Sequence, residues 1–165
     1  MMSTSLASIQ EDFTPVDKTC SRLTTAWLIL GVGALALAGI FAILLVLARM
    51  PGLEGLFPTQ DFFRTALVVH VDQSVLIWFL AFGGVLWSLH HSSEGSTIGG
   101  WIALIIAVIG ALLVAAAPFL GAADPLMNNY VPVLRHPLFL AALALFGLGI
   151  LLQLLFYLSS GRNLL

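Results

Sequence analysis

Residues 64–80 of the chain, RTALVVHVDQSVLIWFL, place a histidine and an aspartate inside an otherwise apolar stretch. Polar groups are costly in hydrocarbon, so an ionisable side chain within a membrane segment is by default a functional hypothesis. A neutral imidazole needs a partner for each ring nitrogen, and a metal or haem iron is a common strong partner. His70 is therefore a candidate metal ligand. The alternative is a structural histidine that is hydrogen-bonded across the bundle to Asn128, Asn129 or a serine.

The residues that follow His70 differ in the face of the helix they occupy. Asp72 lies about 200° around an α-helix from His70, so these two side chains do not share a face. An unpaired carboxylate at that depth would be expensive, and Asp72 is expected to pair with another helix or subunit, or to be protonated. Gln73, Ser74 and Gly84 fall near the face of His70. Small residues on that face leave room for a flat cofactor, although glycine is also ordinary material for helix packing.

Three further polar side chains are expected at the same end of the bundle as the candidate ligand. His136 opens the fourth predicted span and is a candidate second axial ligand, although its predicted position is shallower. If a haem lies between the second and fourth spans, Arg64 and Arg135 would hold its propionates by charge-assisted hydrogen bonds. The plainer interpretation is that both arginines anchor helix ends among lipid headgroups. His90 and His91 close the second span at the opposite membrane face and are expected to be solvated.

The composition indicates whether this chain lies in water or in a lipid bilayer. Of its 165 residues 60% are hydrophobic and 8% are charged, and the mean hydropathy is +1.07. So much apolar surface, in uncharged stretches of about 20 residues, is typical of an integral membrane protein. A net charge of −2 argues against a nucleic-acid partner. The single cysteine, Cys20, excludes an intrachain disulfide, and the sequence contains no nucleophile–base pair, P-loop or HExxH motif.

The sequence predicts an all-α membrane protein, a four-transmembrane-helix bundle over residues 24–160. The predicted spans are 24–48, 62–89, 98–120 and 138–158. Residues 1–23 are predicted to be a polar N-terminal tail, and residues 161–165 a short C-terminal tail. Small residues at four-residue spacing on the first span, Ala34, Ala38 and Ala42, would let another helix approach closely. The alternative is that these alanines only fill an alanine-rich span.

The second span resembles helix two of subunit I of the haem–copper oxidase superfamily. The matching features are Arg64 before the histidine, the His-x-Asp step at 70–72, and the double glycine in AFGGVLW at 81–87. In that family the helix-two histidine is an axial ligand of the low-spin haem and lies toward the outer, propionate side of the membrane. The resemblance therefore implies haem b on His70, cytoplasmic termini and a bacterial inner membrane.

The resemblance covers the second span well and the other spans only loosely, as the first four helices of the subunit. The histidines that hold copper and the high-spin haem are absent from this chain, so it is not expected to be an oxidase alone. The second axial ligand would come from His136, from Met127 or from a partner. A looser similarity to haem A synthase, whose four-helix halves bind haem, gives a haem-handling protein as a minor alternative.

The sequence thus predicts a truncated subunit I-like protein that binds haem b and takes part in respiratory electron transfer. Its partners would be the lipid bilayer and other subunits of a respiratory complex or further copies of itself, with cytochrome c or a quinone as a redox partner. The alternative is a non-catalytic accessory or assembly subunit with no cofactor of its own.

Overall fold

The computed structural model describes residues 18–57, 61–89, 94–121, 124–127 and 131–161, most of them helical. The helices are α1 (Lys18–Leu47), α2 (Phe62–Val71), α3 (Trp78–Leu89), α4 (Glu94–Ala116) and α5 (Pro137–Gly161), with a π-helix (Asp72–Ile77) between α2 and α3. Two 3-10 helices are present, Glu54–Leu56 and Ala117–Leu120. Strands β1 (Pro125–Leu126) and β2 (Val133–Leu134) pair in antiparallel register, with Pro125 opposite Leu134.

Four helical segments are long and apolar enough to cross a membrane. They are Arg22–Leu47, Phe62–Leu89, Ile98–Leu120 and Pro137–Ser159. The second of these combines α2, the π-helix and α3. Each exceeds the roughly 20 residues that a bilayer core requires. The chain is an integral membrane protein with four helical spans, as the sequence predicted.

The beginning of the first helix differs from the prediction. α1 starts at Lys18, so residues 18–23 belong to the helix and not to the predicted tail. Lys18 and Arg22 lower the hydropathy there, but both residue types are good helix formers and do not end a helix. Leu23 is already fully buried, which ties this first part of α1 to the bundle. Gly161, predicted as the first residue of the C-terminal tail, is the last residue of α5. Residues 1–17 and 162–165 lie outside the described residues.

The third and fourth spans pack with their backbones in direct contact. A Cβ atom placed on Gly149 would lie 2.6 Å from the Ala107 nitrogen and 2.7 Å from the Ala103 carbonyl oxygen. One placed on Gly110 would meet the backbone nitrogen of Phe146. Close approach through small residues is the usual way in which membrane helices gain packing energy, because lipid provides no hydrophobic drive between them.

Two buried amide side chains connect the spans further. Gln73 Nε2 donates to the carbonyl of Ala111 at 3.1 Å and so joins the second span to the third. Gln153 Nε2 donates to Ser88 Oγ at 3.1 Å and joins the fourth span to the second. Such interhelical hydrogen bonds contribute modestly to stability, on average about 0.6 kcal/mol in membrane proteins.

Aromatic side chains gather where the second span begins. Phe62 stacks on Phe57, with 4.8 Å between ring centroids, and lies 5.6 Å from the ring of Phe119. Phe119 in turn lies 6.1 Å from Phe41 of the first span. Both strands of the hairpin contact α2 at the same end. His70 is about 12 Å further along the second span from Phe62, below this aromatic layer.

Candidate functional site in the second membrane span

His70 lies in the last turn of α2 and is half-buried against the first span. Its Nδ1 is 2.9 Å from the carbonyl oxygen of Ala38. Ala34 and Ala38 are both buried, so the predicted row of small residues does admit close approach at this point. Because a carbonyl oxygen only accepts hydrogen bonds, Nδ1 carries a proton in this contact; in a neutral imidazole, the lone pair is then on Nε2.

The hydrogen-bond partner of His70 differs from those that the sequence offered. It is a main-chain carbonyl on another helix, and not a serine: the hydroxyl of the nearby Ser74 donates to the carbonyl of Val71 at 3.3 Å. Asn128 and Asn129 lie outside the described residues. A second ring-nitrogen partner for His70 is not seen among the described residues.

A π-helix follows His70 directly. It covers Asp72–Ile77, and the N–H of Trp78 donates to the carbonyl of Gln73, five residues earlier. The wider π turn rotates α2 relative to α3 compared with a continuous α-helix, and such segments are frequent at functional sites. The residues at this point contact different spans: His70 faces the first span, whereas Gln73 reaches the carbonyl of Ala111 on the third.

Asp72 is fully buried at the start of this π-helix. Neither carboxylate oxygen has a hydrogen-bond partner among the described residues, and the same holds for Gln73 Oε1. The expected pairing of Asp72 with another helix is therefore not found in the described part of the chain. Two consecutive residues instead present three buried acceptor oxygens without a donor.

The space expected beside Gly84 is occupied by a side chain of the protein. A Cβ atom on Gly84 would lie 2.5 Å from Cδ2 of Trp27, so the indole covers this glycine. Trp27 is fully buried. The expectation that Gly84 leaves room for a flat cofactor is wrong, because the flat group packed there is an indole ring.

The two predicted arginines are exposed, and His136 is half-buried with its Nδ1 buried and unpartnered among the described residues. The backbone N–H of Arg135 donates to the carbonyl of Asp124 beside the hairpin, and the hairpin contacts α2. Arg64, Arg135 and His136 therefore lie at one end of the bundle, as predicted.

No hydrogen bond within the described ranges joins these side chains to the candidate ligand. His136 precedes Pro137, the first residue of α5, whereas His70 is well inside its span. Two axial ligands of one iron need the same depth, so His136 as second ligand stays a prediction. Met127, the other candidate on this chain, is 53% exposed. His90 and His91 lie outside the described residues.

Three buried side chains that contain polar atoms were not assigned a role from the sequence: Trp27, Ser88 and Gln153. Ser88 Oγ donates to the carbonyl of Gly84 at 2.7 Å and accepts from Gln153 Nε2. Trp27 Nε1 and Gln153 Oε1 are buried without partners in the described part of the structure. The available signal was Gln153 itself, a lone amide within the apolar run LLQLL.

An apolar cavity of about 210 Å³ lies between the first two spans. Its lining residues include Trp27, Gly31, Val32, Trp78 and Phe82. None of the predicted site residues lines this cavity. It therefore gives no support to a cofactor on His70.

The described residues contain no group of three or more histidine, cysteine, aspartate or glutamate side chains that could hold a metal ion. The described residues therefore do not form a metal site that consists of protein ligands alone. A haem iron takes its equatorial ligands from the porphyrin and asks the protein only for axial ones. The Nδ1 contact of His70 fits that smaller requirement, because it leaves the other ring nitrogen, Nε2, for an axial bond.

Comparisons with known proteins find two similar chains. One is an uncharacterised protein of Aquifex aeolicus (strain VF5), 36% identical over 132 residues, which are 80% of this chain and 33% of that protein. The other is the uncharacterised protein RP382 of Rickettsia prowazekii (strain Madrid E), 32% identical over 155 residues, covering 80% of this chain and 30% of that protein. The chain thus spans about a third of the length of these relatives. No family model and no solved structure matches it.

Proposed function

We propose that this chain binds haem b through His70 Nε2 and contributes to electron transfer in a larger respiratory assembly of the membrane. The observation that carries the proposal is the 2.9 Å contact between His70 Nδ1 and the Ala38 carbonyl. Histidines that bind a metal usually donate their other ring N–H to a carbonyl or carboxylate, which fixes the tautomer and the ring orientation.

The resemblance of the second span to helix two of haem–copper oxidase subunit I supports the same residue. His70 occupies the position of the low-spin haem ligand in that pattern, and Arg64 precedes it at the matching place. The bound haem would supply one-electron redox chemistry. Its electron donor would be cytochrome c or a quinone, and the surrounding membrane the bacterial inner membrane, with cytoplasmic termini.

The protein would contribute orientation and electrostatics. The carbonyl of Ala38 holds the imidazole, while Arg64 and Arg135, both exposed at the nearer end of the bundle, would bind propionate groups. The second axial ligand would come from His136, Met127, another copy or a partner chain. The relatives are about three times as long as the region that matches this chain.

The test is the visible spectrum of the purified full-length chain. We expect a Soret band that His70→Ala abolishes, because the fixed axial nitrogen is lost. Arg64→Gln should keep the band and weaken haem retention. His136→Ala tests the second ligand: a change from low-spin to high-spin bands assigns that role to His136, and an unchanged spectrum assigns it to another group. A colourless wild-type protein, in membranes and after reconstitution with haem b, would refute the proposal.

A second candidate function rests on a different observation. The hydrogen bonds His70–Ala38, Gln73–Ala111 and Gln153–Ser88 each connect two spans, so polar side chains in this bundle also act as interhelical contacts. We therefore propose, as the alternative to haem binding, that the chain is an accessory or assembly subunit without its own cofactor. A colourless protein that co-purifies with a respiratory complex, and is needed for the yield of that complex, would favour it.

A further inference from the structure

Two apolar channels lie side by side along the first span. The inner channel is the cavity of about 210 Å³ between the first and second spans. The outer channel is a groove of about 360 Å³ on the first span, and its lining residues include Ile29, Gly33 and Ala36. Leu28 and Val32 line both channels. These two side chains therefore form a ridge that separates two neighbouring channels.

Both channels open at the outer surface of the bundle. Leu28 is 46% exposed, Val32 is 58% exposed, and Phe82, on the far wall of the inner channel, is 46% exposed. The medium around this part of a membrane span is hydrocarbon. An unfilled space beside apolar side chains loses dispersion contacts, so hydrocarbon chains should occupy both channels.

The outer channel is a depression in a surface that elsewhere carries large side chains. The third span exposes isoleucine at successive positions of its outer face, among them Ile98, Ile102 and Ile105. The first span has Gly33 and Ala36 at its groove instead. A Cβ atom placed on Gly33 would have no atom within 4 Å. A chain can therefore lie in this groove without displacing a side chain of the protein.

An exposed cation lies above the channels. Arg22 begins the first span and is exposed, and Ile29, Gly33 and Ala36 lie within about 40° of it around the helix. Leu28, where the ridge begins, is about 9 Å further along the axis. A headgroup layer is about 5–8 Å thick on each side of the hydrocarbon core. Arg22 is thus at the level of lipid phosphates, and arginine binds phosphate by charge-assisted hydrogen bonds.

We infer that the first span binds one diacyl phospholipid, with its phosphate on Arg22 and one acyl chain in each channel. Two channels below one cation match a ligand that has two hydrocarbon chains and one phosphate. A quinone offers a single chain and no phosphate, and a transmembrane helix offers no phosphate. The site ends near Ala36, whereas His70 contacts the first span further along, at the Ala38 carbonyl.

The experiment is native mass spectrometry of the purified, delipidated full-length chain, titrated with dioleoylphosphatidylglycerol. We expect one tightly bound lipid per chain and an affinity about tenfold lower in Arg22→Gln, because the contact with the phosphate is lost. Gly33→Leu should cause a loss of similar size, since its side chain fills the outer channel. The monoacyl form of the lipid, and dioleoylglycerol without phosphate, should each bind the wild type about tenfold more weakly.

Two matched variants of the first span control for these changes. Gly39→Leu adds the same side chain at a glycine that also has no atom within 4 Å of its Cβ position and lines neither channel. Arg49→Gln removes an exposed cation just beyond the other end of the helix. Both should bind the lipid with wild-type affinity.

An unchanged affinity in Arg22→Gln or in Gly33→Leu would overturn the inference, as would equal affinities for the diacyl and monoacyl lipids. A lipid-free dimer that Gly33→Leu dissociates and Gly39→Leu does not would also overturn it, because a second copy would then cover this face. These measurements need no haem, so they succeed or fail independently of the haem proposal.

Discussion

The two helix pairs of this bundle solve the problem of packing in lipid differently. The third and fourth spans meet through Gly110 and Gly149 with backbone against backbone, and Gln153 is the only buried polar side chain described there. The second span carries the other four buried polar side chains of the described chain: Thr65, Asp72, Gln73 and Ser88. It also carries His70 and the π-helix. The first pair of spans thus contains the groups that could do chemistry, and the second pair supports them by close packing.

This difference has an energetic meaning. Unpaired acceptors and an irregular helix reduce stability, and they persist only where the surroundings determine the structure firmly. Here the surroundings include the glycine contacts of the third and fourth spans. They also include the two hydrogen bonds that the side-chain amides of Gln73 and Gln153 make between the second span and these two spans. We therefore expect the third and fourth spans, the packed pair, to tolerate no added side-chain volume at their contact. The first and second spans, the polar pair, should instead be sensitive to the direction of their polar side chains and to bound ligands.

The largest effect is expected from inserting one alanine between Val71 and Asp72, where the π-helix begins. A π turn already accommodates one extra residue, so a further residue should rotate α3 relative to α2 by about 100°. His70 would leave the Ala38 carbonyl or Gln73 would leave Ala111, because one rotation cannot satisfy both. We expect failure to fold, or loss of any haem, measured by size-exclusion chromatography and the visible spectrum. A folded insertion variant with wild-type properties would show that the register of this helix does not set these directions.

The next effect tests the packed pair. Gly149→Ala should lower the free energy of unfolding by about 2–3 kcal/mol, since the added methyl meets backbone atoms that cannot move aside. Gly147→Ala is the matched control on the same helix, because no atom lies within 4 Å of a Cβ placed there. It should stay within about 0.5 kcal/mol of the wild type. Chemical denaturation in mixed micelles measures both, and equal stabilities would contradict backbone contact at Gly149.

The smallest effects concern the hydrogen bonds that the side-chain amides of Gln73 and Gln153 make between the two helix pairs. Gln73→Met and Gln153→Met keep the length of each side chain and should each lower the free energy of unfolding by about 1 kcal/mol. Because the two bonds involve different residues of the second span, the double variant should show nearly additive losses. A gain in stability for Gln153→Met would mean that removing its unpartnered Oε1 outweighs the lost bond to Ser88.

The sequence predicts the architecture of this chain well and the chemistry of its site only in part. Apolar runs of sufficient length identify all four spans, and the four-residue spacing of Ala34 and Ala38 identifies a close helix contact. The start of α1 at Lys18 was missed, since hydropathy reports the membrane boundary and not the end of the helix. The length of an apolar run indicates which residues cross the bilayer. It does not indicate a π turn, because a π turn contains only one residue more than an α turn and has the same kind of composition.

Two features of the site depend on tertiary structure alone. The partner of His70 is a backbone carbonyl, and every residue has one, so no side-chain pattern nominates Ala38. The place beside Gly84 is filled by Trp27 from another helix, although the glycine itself indicates open space. Conversely, the polar character of His70 and Asp72 within an apolar span was visible from residue types, because such groups are rare in membranes.

The central claim is that the Ala38 carbonyl fixes His70 as the Nδ1–H tautomer, with Nε2 available to a ligand. Nitrogen-15 NMR of the histidine-labelled protein, with His70 assigned by comparison with His70→Gln, measures this directly. We predict a protonated, hydrogen-bonded Nδ1, with Nε2 either unprotonated or bound to iron. A His70 signal with the proton on Nε2 and a bare Nδ1 would contradict the account.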